Sequence, residues 1–172
     1  KIIRPKLIDT FADEIARFAE EVGFYGISVA DHLVMPTKIE SRYPYTEDGE
    51  IFWPEDAPWP DPWVTLGAMA GVTRELMLAS NIYLAALRDP ISAAKASGTA
   101  AVLSGNRVVC GVGAGWIEEE YGIAGVDFAS RGRRLDEVIE VTRSVSEGKA
   151  RRQFRLHPHR QPRRQHCSER SA

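Results

Sequence analysis

Short apolar runs rich in β-branched residues alternate with helical segments along this chain, and two of the helices open on the same pair of residues, Asp61-Pro62 and Asp89-Pro90. An aspartate accepts the free N–H groups of a first helical turn, and a proline at the first helical position has none to leave orphaned, so each pair marks a helix start. The apolar runs at 27–30, 76–84 and 107–112 are strands by composition. Strands that alternate with helices at this spacing predict a parallel sheet covered by helices, an α/β fold.

The helices are legible in the same way. Phe11, Ile15, Phe18 and Val22 recur at helical spacing with Asp13, Glu14, Arg17 and Glu21 between them, predicting an amphipathic helix over 10–22. Thr10 with Asp13 resembles a capping box, and Gly23 stops the helix. Two helices follow the Asp-Pro pairs, the first through Val72 and the second to about Leu103. A last helix spans roughly 130–147, with Leu135, Val138, Ile139, Thr142 and Val145 on one face and Gly148 as its stop. A first strand is placed over 1–8, worn or truncated because it contains Pro5 and few apolar residues. Between Leu33 and Pro60 no period is visible. Pro36, Pro44, Pro54 and Pro58 are interleaved there with Tyr43, Tyr45, Phe52, Trp53 and Trp59, which argues for an ordered lid or pocket wall.

Length then limits the architecture. A complete (β/α)8 TIM barrel needs about 250 residues, and this chain has 172. A barrel reading therefore makes residues 1–148 the N-terminal half, about the first four βα units. Residues 149–172 form a basic tail with eight Lys or Arg against one acid, Glu169. Removing these from the chain's 22 basic and 24 acidic residues leaves 14 against 23, so the first 148 residues carry a net charge of −9. No isoleucine or valine occurs after Gly148, and a change of reading frame near residues 144–148 would produce such a tail. An arginine-rich arm can bind nucleic acid, but Phe154 is the only stacking candidate, so a solvated extension is favoured over that partner. Hydrophobic residues at 44% and charged residues at 27%, with no apolar run of membrane length, place the expected protein in the cytoplasm. Cys110 and Cys167 stand far apart in unlike contexts, which disfavours a disulfide scaffold or zinc cluster. Cys110 is expected to pack as a small apolar residue in its strand.

Three places carry candidate chemistry. Asp31-His32 ends the strand at 27–30. An imidazole titrates near neutrality and suits proton exchange, and a neighbouring carboxylate can orient it; a capping role for the pair stands equally open. Gly111-Val112-Gly113-Ala114-Gly115 lets the backbone approach a planar ring or a phosphate, or makes a tight strand-to-helix turn. Trp116 occupies the third glycine position of a dinucleotide fingerprint, which weakens that reading, and it caps a substrate pocket or plugs the barrel mouth. Ser80-Asn81 interrupts an apolar strand, as a bulge facing a ligand or as a hydrogen-bonded kink.

Together, Asp31-His32, the loop from Tyr43-Pro44-Tyr45 to Asp61-Pro62-Trp63, Leu87-Arg88-Asp89-Pro90, the run from Gly111 through Trp116 to Glu120, and Arg131-Gly132-Arg133-Arg134-Leu135-Asp136-Glu137 resemble the luciferase-like monooxygenase superfamily. More narrowly, they are similar to its deazaflavin (coenzyme F420) branch. The resemblance covers about residues 7–148. It implies a (β/α)8 barrel whose strand ends hold a deazaflavin or, alternatively, FMN. It implies catalytic roles for His32, in proton transfer, and Asp31, and a non-prolyl cis peptide in the segment of Ser80 and Asn81. Cofactor contacts are implied at Asp31, Ser80, Asn81, Ala114, Gly115 and Glu119, although some relatives have asparagine where this chain has Glu119. Trp53 and Trp116 are placed in the substrate pocket. Trp116 stands where the sugar-phosphate dehydrogenases of this branch have glutamate, so that activity is not implied.

Two functions follow. One is an oxidoreductase moving hydride between coenzyme F420 and a small organic substrate, with an oxygen-using FMN monooxygenase as the alternative within the class. The other is an inactive truncated half barrel, whose open edges would lead to homo-oligomers or aggregation.

Overall fold

The computed structural model of the chain describes residues 5–54 and 57–146. In order, its elements are α1 (Pro5–Glu21), β1 (Gly26–Val29), α2 (Pro62–Val72), β2 (Met77–Tyr83), α3 (Pro90–Leu103), β3 (Val108–Val112), α4 (Glu118–Ile123) and α5 (Arg131–Ser146), with short 3-10 turns at Ala85–Leu87 and Phe128–Ser130. The Asp-Pro pairs act as expected. The Asp61 side chain accepts from the amides of Trp63 and Val64, the Asp89 side chain accepts from that of Ser92, and Pro62 and Pro90 open α2 and α3.

The three strands are parallel, in the order β1-β2-β3. A closed barrel has eight, so this sheet is an open arc, and β1 and β3 each keep one unpaired edge among the described residues. The expected first strand is not one: from Pro5 onward that segment is the first turn of α1, where proline is well tolerated. Thr10 therefore lies inside the helix and not at its start. Residues 1–4, and the whole basic tail with its Cys167, lie outside the described residues.

Ile15 and Phe18 of α1, and Val22 just beyond it, are not on the buried side of the helix. Ala12 and Ala16 are buried, whereas Ile15 is 45%, Phe18 64% and Val22 51% exposed. Alanine lets the helix axis approach its neighbours closely, so the small residues occupy the inner side. The core joins α1, α2, α3, α5 and the sheet through Ala16, Leu66, Met69, Leu76, Leu78 and Val138. Leu66 and Leu78 are fully buried, each contributing about 1.5–3 kcal/mol of apolar transfer. A second cluster, Leu84, Leu87, Tyr121 and Val126, packs where the strands end. Cys110 is exposed instead of packed. It sits on edge strand β3 beside Val109, which is 50% exposed, so neither residue is fully covered.

The polar interruption in β2 is a bulge. Ser80 pairs with Cys110 and Tyr83 with Val112, so the step of three residues in β2 opposes a step of two in β3, and the Asn81–Ile82 peptide bond is cis. The facing glycines make room for it. A Cβ on Gly111 would lie 2.3 Å from the Ser80 carbonyl oxygen, and one on Gly113 would lie 2.0 Å from Ile82 Cδ1. No described helix is long and apolar enough to cross a membrane.

Candidate active site

Parallel strands deliver the residues that follow them to one end of the sheet. Asp31 and His32 follow β1, Asn81 and Ile82 lie in the β2 bulge, and Gly113 to Trp116 follow β3. All of these line one cavity of about 750 Å³. Tyr43, Tyr45, Trp53 and Trp59 of the long loop and Arg131 at the start of α5 complete its wall. The imidazole and the glycine rim thus face the same space.

Asp31 and His32 part company there, because successive residues of an extended chain point to opposite sides. Asp31 turns inward. Its Oδ1 accepts from Arg88 Nη2 at 2.7 Å, its Oδ2 from Arg88 Nη1 at 2.7 Å and from the Leu84 amide at 2.9 Å. Both carboxylate oxygens are thereby engaged with the segment after β2, and the partner of the imidazole is a different acid.

Glu120 holds the imidazole instead. His32 Nδ1 lies 3.0 Å from Glu120 Oε2, and Glu120 Oε1 accepts from the amides of Leu33 at 2.6 Å and Val34 at 3.3 Å. The Glu120 side chain is 1% exposed and that of His32 8%. Trp59 packs edge-on to the imidazole, 4.5 Å between ring centres. Glu120 belongs to α4, a short helix with three acids in its first turn, where they complement the positive helix end. From sequence these three glutamates read only as an acidic turn; a helix this short has no period to separate a buried acid from exposed ones.

The expected cofactor contacts divide. Asn81, Ala114 and Gly115 line the cavity. Gly115 has φ +75°, a conformation that favours glycine, and Tyr121 donates its hydroxyl to the Ala114 carbonyl, fixing the turn. Burial, with the Glu120 charge nearby, pushes the Tyr121 phenol up to about 12, so it remains a donor. Ser80 is buried and donates to the Gly111 carbonyl at 2.9 Å, so it closes the kink while Asn81 faces the cavity.

Glu119 is turned to the long loop. Its Oε1 accepts from the amides of Glu40 at 2.6 Å and Ser41 at 3.0 Å, its Oε2 from Ser41 Oγ at 2.7 Å, and it is absent from the cavity lining. The loop aromatics pack on the same rim. Tyr43 contacts Trp53 at 5.1 Å and Trp116 at 5.2 Å between ring centres, and Trp53 contacts Trp59 at 5.6 Å. The loop is therefore an ordered wall pinned by Glu119, and its Trp53 lies beside Trp116 of the segment after β3.

Burial opposes ionisation of Glu119, but the bonds from the Ser41 hydroxyl and from backbone amides outweigh it and lower the carboxyl from 4.5 to about 2. A group depressed in the folded state stabilises above its unfolded value and loses that contribution as pH falls through its folded value. Stability is thus expected to decline as pH drops from 4.5 toward about 2. Glu119→Gln should flatten this part of a urea-midpoint profile against pH; an unchanged slope would remove Glu119 from the account.

The luciferase-like monooxygenase family model matches residues 10–167. The chain belongs to that family. An uncharacterized protein of Mycobacterium tuberculosis is 36% identical over 139 residues, covering 81% of this chain and 48% of the relative. The F420-dependent glucose-6-phosphate dehydrogenase of Amycolatopsis mediterranei is 30% identical over 136 residues, covering 77% of this chain and 36% of the enzyme. Among solved structures, the oxygenating constituent of 3,6-diketocamphane monooxygenase from Pseudomonas putida, in complex with FMN, superposes with TM-score 0.64 at 17% identity, covering 84% of this chain and 35% of that one. A monooxygenase from Streptomyces bottropensis gives TM-score 0.62 at 22% identity, covering 80% and 36%. The open arc is thus part of a luciferase-like barrel, and the chain spans about half the length of the curated relatives it matches.

Proposed function

We propose that this chain carries the N-terminal part of the active site of an F420-dependent oxidoreductase, which moves hydride between the deazaflavin and a small organic substrate. One observation carries the reading: His32, the Asn81–Ile82 bulge and the Gly113 to Gly115 rim converge on one cavity. The similarity to an enzyme named for F420 dependence supports the choice of coenzyme.

The residues present fit a flat ring. Gly113 and Gly115 have no Cβ, Ala114 has only a methyl, Ile82 packs against Gly113, and Asn81 lines the same cavity. These five residues would hold the ring, and Trp53 and Trp116 would enclose the substrate beside it. When bound, the deazaflavin supplies the two-electron chemistry. His32 then exchanges the proton that accompanies the hydride, at the ring nitrogen not engaged by Glu120. Asp31 secures the strand ends on which the site is built.

Titration of the purified chain with coenzyme F420 and with FMN tests this. Saturable binding with preference for F420 is expected, and His32→Gln should retain that binding while losing turnover by about 10²- to 10⁴-fold, the usual share of a general acid or base. Preference for FMN together with oxygen consumption would establish the monooxygenase alternative. Absence of binding to either by the folded chain would overturn the proposal and leave the inactive fragment.

A further inference from the structure

We infer that Glu120 is a positioning residue that fixes the tautomer of His32, so that the proton on Nδ1 is permanent and only Nε2 exchanges with a ligand in the cavity. This rests on the proposed role of His32 for its functional meaning, but not for its physical argument.

Donors and acceptors around the ring decide which nitrogen carries the hydrogen. Glu120 is 1% exposed, and its Oε1 is taken by two backbone N–H groups, those of Leu33 and Val34. Backbone amides only donate, so that oxygen can only accept. The remaining oxygen, Oε2, faces His32 Nδ1 at 3.0 Å. A carboxylate accepts and does not donate, so Nδ1 must carry the hydrogen. The neutral imidazole then has a bare Nε2, and protonation adds the second hydrogen there. Among the described residues no protein group bonds Nε2, and His32 lines the cavity. The carboxylate thus decides which nitrogen takes part in chemistry, the second-partner role that fixes imidazole tautomers elsewhere.

A near-isosteric substitution separates this from mere packing. In Glu120→Gln the amide has one oxygen, and the amides of Leu33 and Val34 both require it. The NH2 group is then left facing Nδ1, which must become the acceptor, and the hydrogen moves to Nε2. The variant keeps shape and volume but inverts the ring.

Long-range ¹H–¹⁵N spectra of the ¹⁵N-labelled chain, recorded well above the ordinary imidazole titration range and assigned with His32→Gln, read the two nitrogens directly. The wild type should show Nδ1 protonated and Nε2 bare, and Glu120→Gln should show the shift of that proton to Nε2. A wild-type ring protonated on Nε2 would overturn the inference, as would a folded Glu120→Gln variant with an unchanged spectrum. Should the variant fail to fold, the wild-type spectrum alone still decides. A chain with the expected tautomer that binds neither F420 nor FMN would sink the proposed function and leave the assignment of Glu120 standing.

Discussion

Replacing Asp31 with alanine is expected to destabilise the fold by about 3–5 kcal/mol, the usual result of removing one partner of a buried ion pair. Three bonds end on this carboxylate, two from Arg88 and one from the Leu84 amide. The Asp31 side chain is fully buried and that of Arg88 is 12% exposed, so water recovers little of what is lost. Alanine would leave a guanidinium without its counter-charge and a buried backbone N–H without an acceptor, each costly in a low-dielectric interior. Arg88 also donates to the Leu84 carbonyl and lies 4.3 Å from the centre of the Tyr83 ring, so its release would loosen the end of β2 beside the cavity. A double-mutant cycle with Arg88→Met makes the claim specific. The paired substitution removes both charges and should cost at least about 2 kcal/mol less than the two single losses added together. Urea unfolding of the four proteins measures it. An Asp31→Ala loss under about 1 kcal/mol, or additive losses in the cycle, would show that the pair does not hold the strand ends together.

The Asp31–Arg88 pair lies beyond what local sequence discloses. The Asp-Pro pairs announced α2 and α3 because a cap is a local device, complete within a few residues of chain. The bulge at Ser80-Asn81 was visible as polarity inside an apolar run, although which of the two faces the cavity depends on the direction of the pleat. Asp31 and His32 were legible as a pair, but their roles were not. Asp31 is bound by Arg88 and His32 by Glu120, partners 57 and 88 residues away. Nothing in local spacing reports such a meeting, which only the parallel sheet brings about. The same holds for α1, where the helical period was correct and the buried side was not, because alanines sit at the close approach while larger residues remain outside.

Arg107 is a second residue whose importance comes wholly from tertiary structure, and Arg107→Ala is expected to cost about 3 kcal/mol. It stands just before β3, at the end of the sheet opposite the cavity. Its Nε donates to the Ser104 carbonyl at 2.8 Å, Nη1 to the Leu76 carbonyl at 2.6 Å and to Thr73 Oγ1 at 3.0 Å, and Nη2 to the carbonyls of Ala70 at 3.2 Å and Thr73 at 3.0 Å. Helix C-termini expose carbonyls without partners and favour a cation. Neither α2 nor α3 has a basic residue in its last turn, so one guanidinium serves both ends and the start of β2 as well. Bonds to a charged group are worth about 1.5–3 kcal/mol each in isolation. Rehydration of partly exposed carbonyls keeps the total well below their sum. Lysine offers the charge without the planar fork and cannot span these acceptors, so Arg107→Lys should recover less than half of the loss. Because the residue lies far from His32, coenzyme affinity of the folded variant should match that of the wild type. A lysine variant as stable as the original chain in urea would show that charge alone suffices at this junction, and that the forked geometry is incidental.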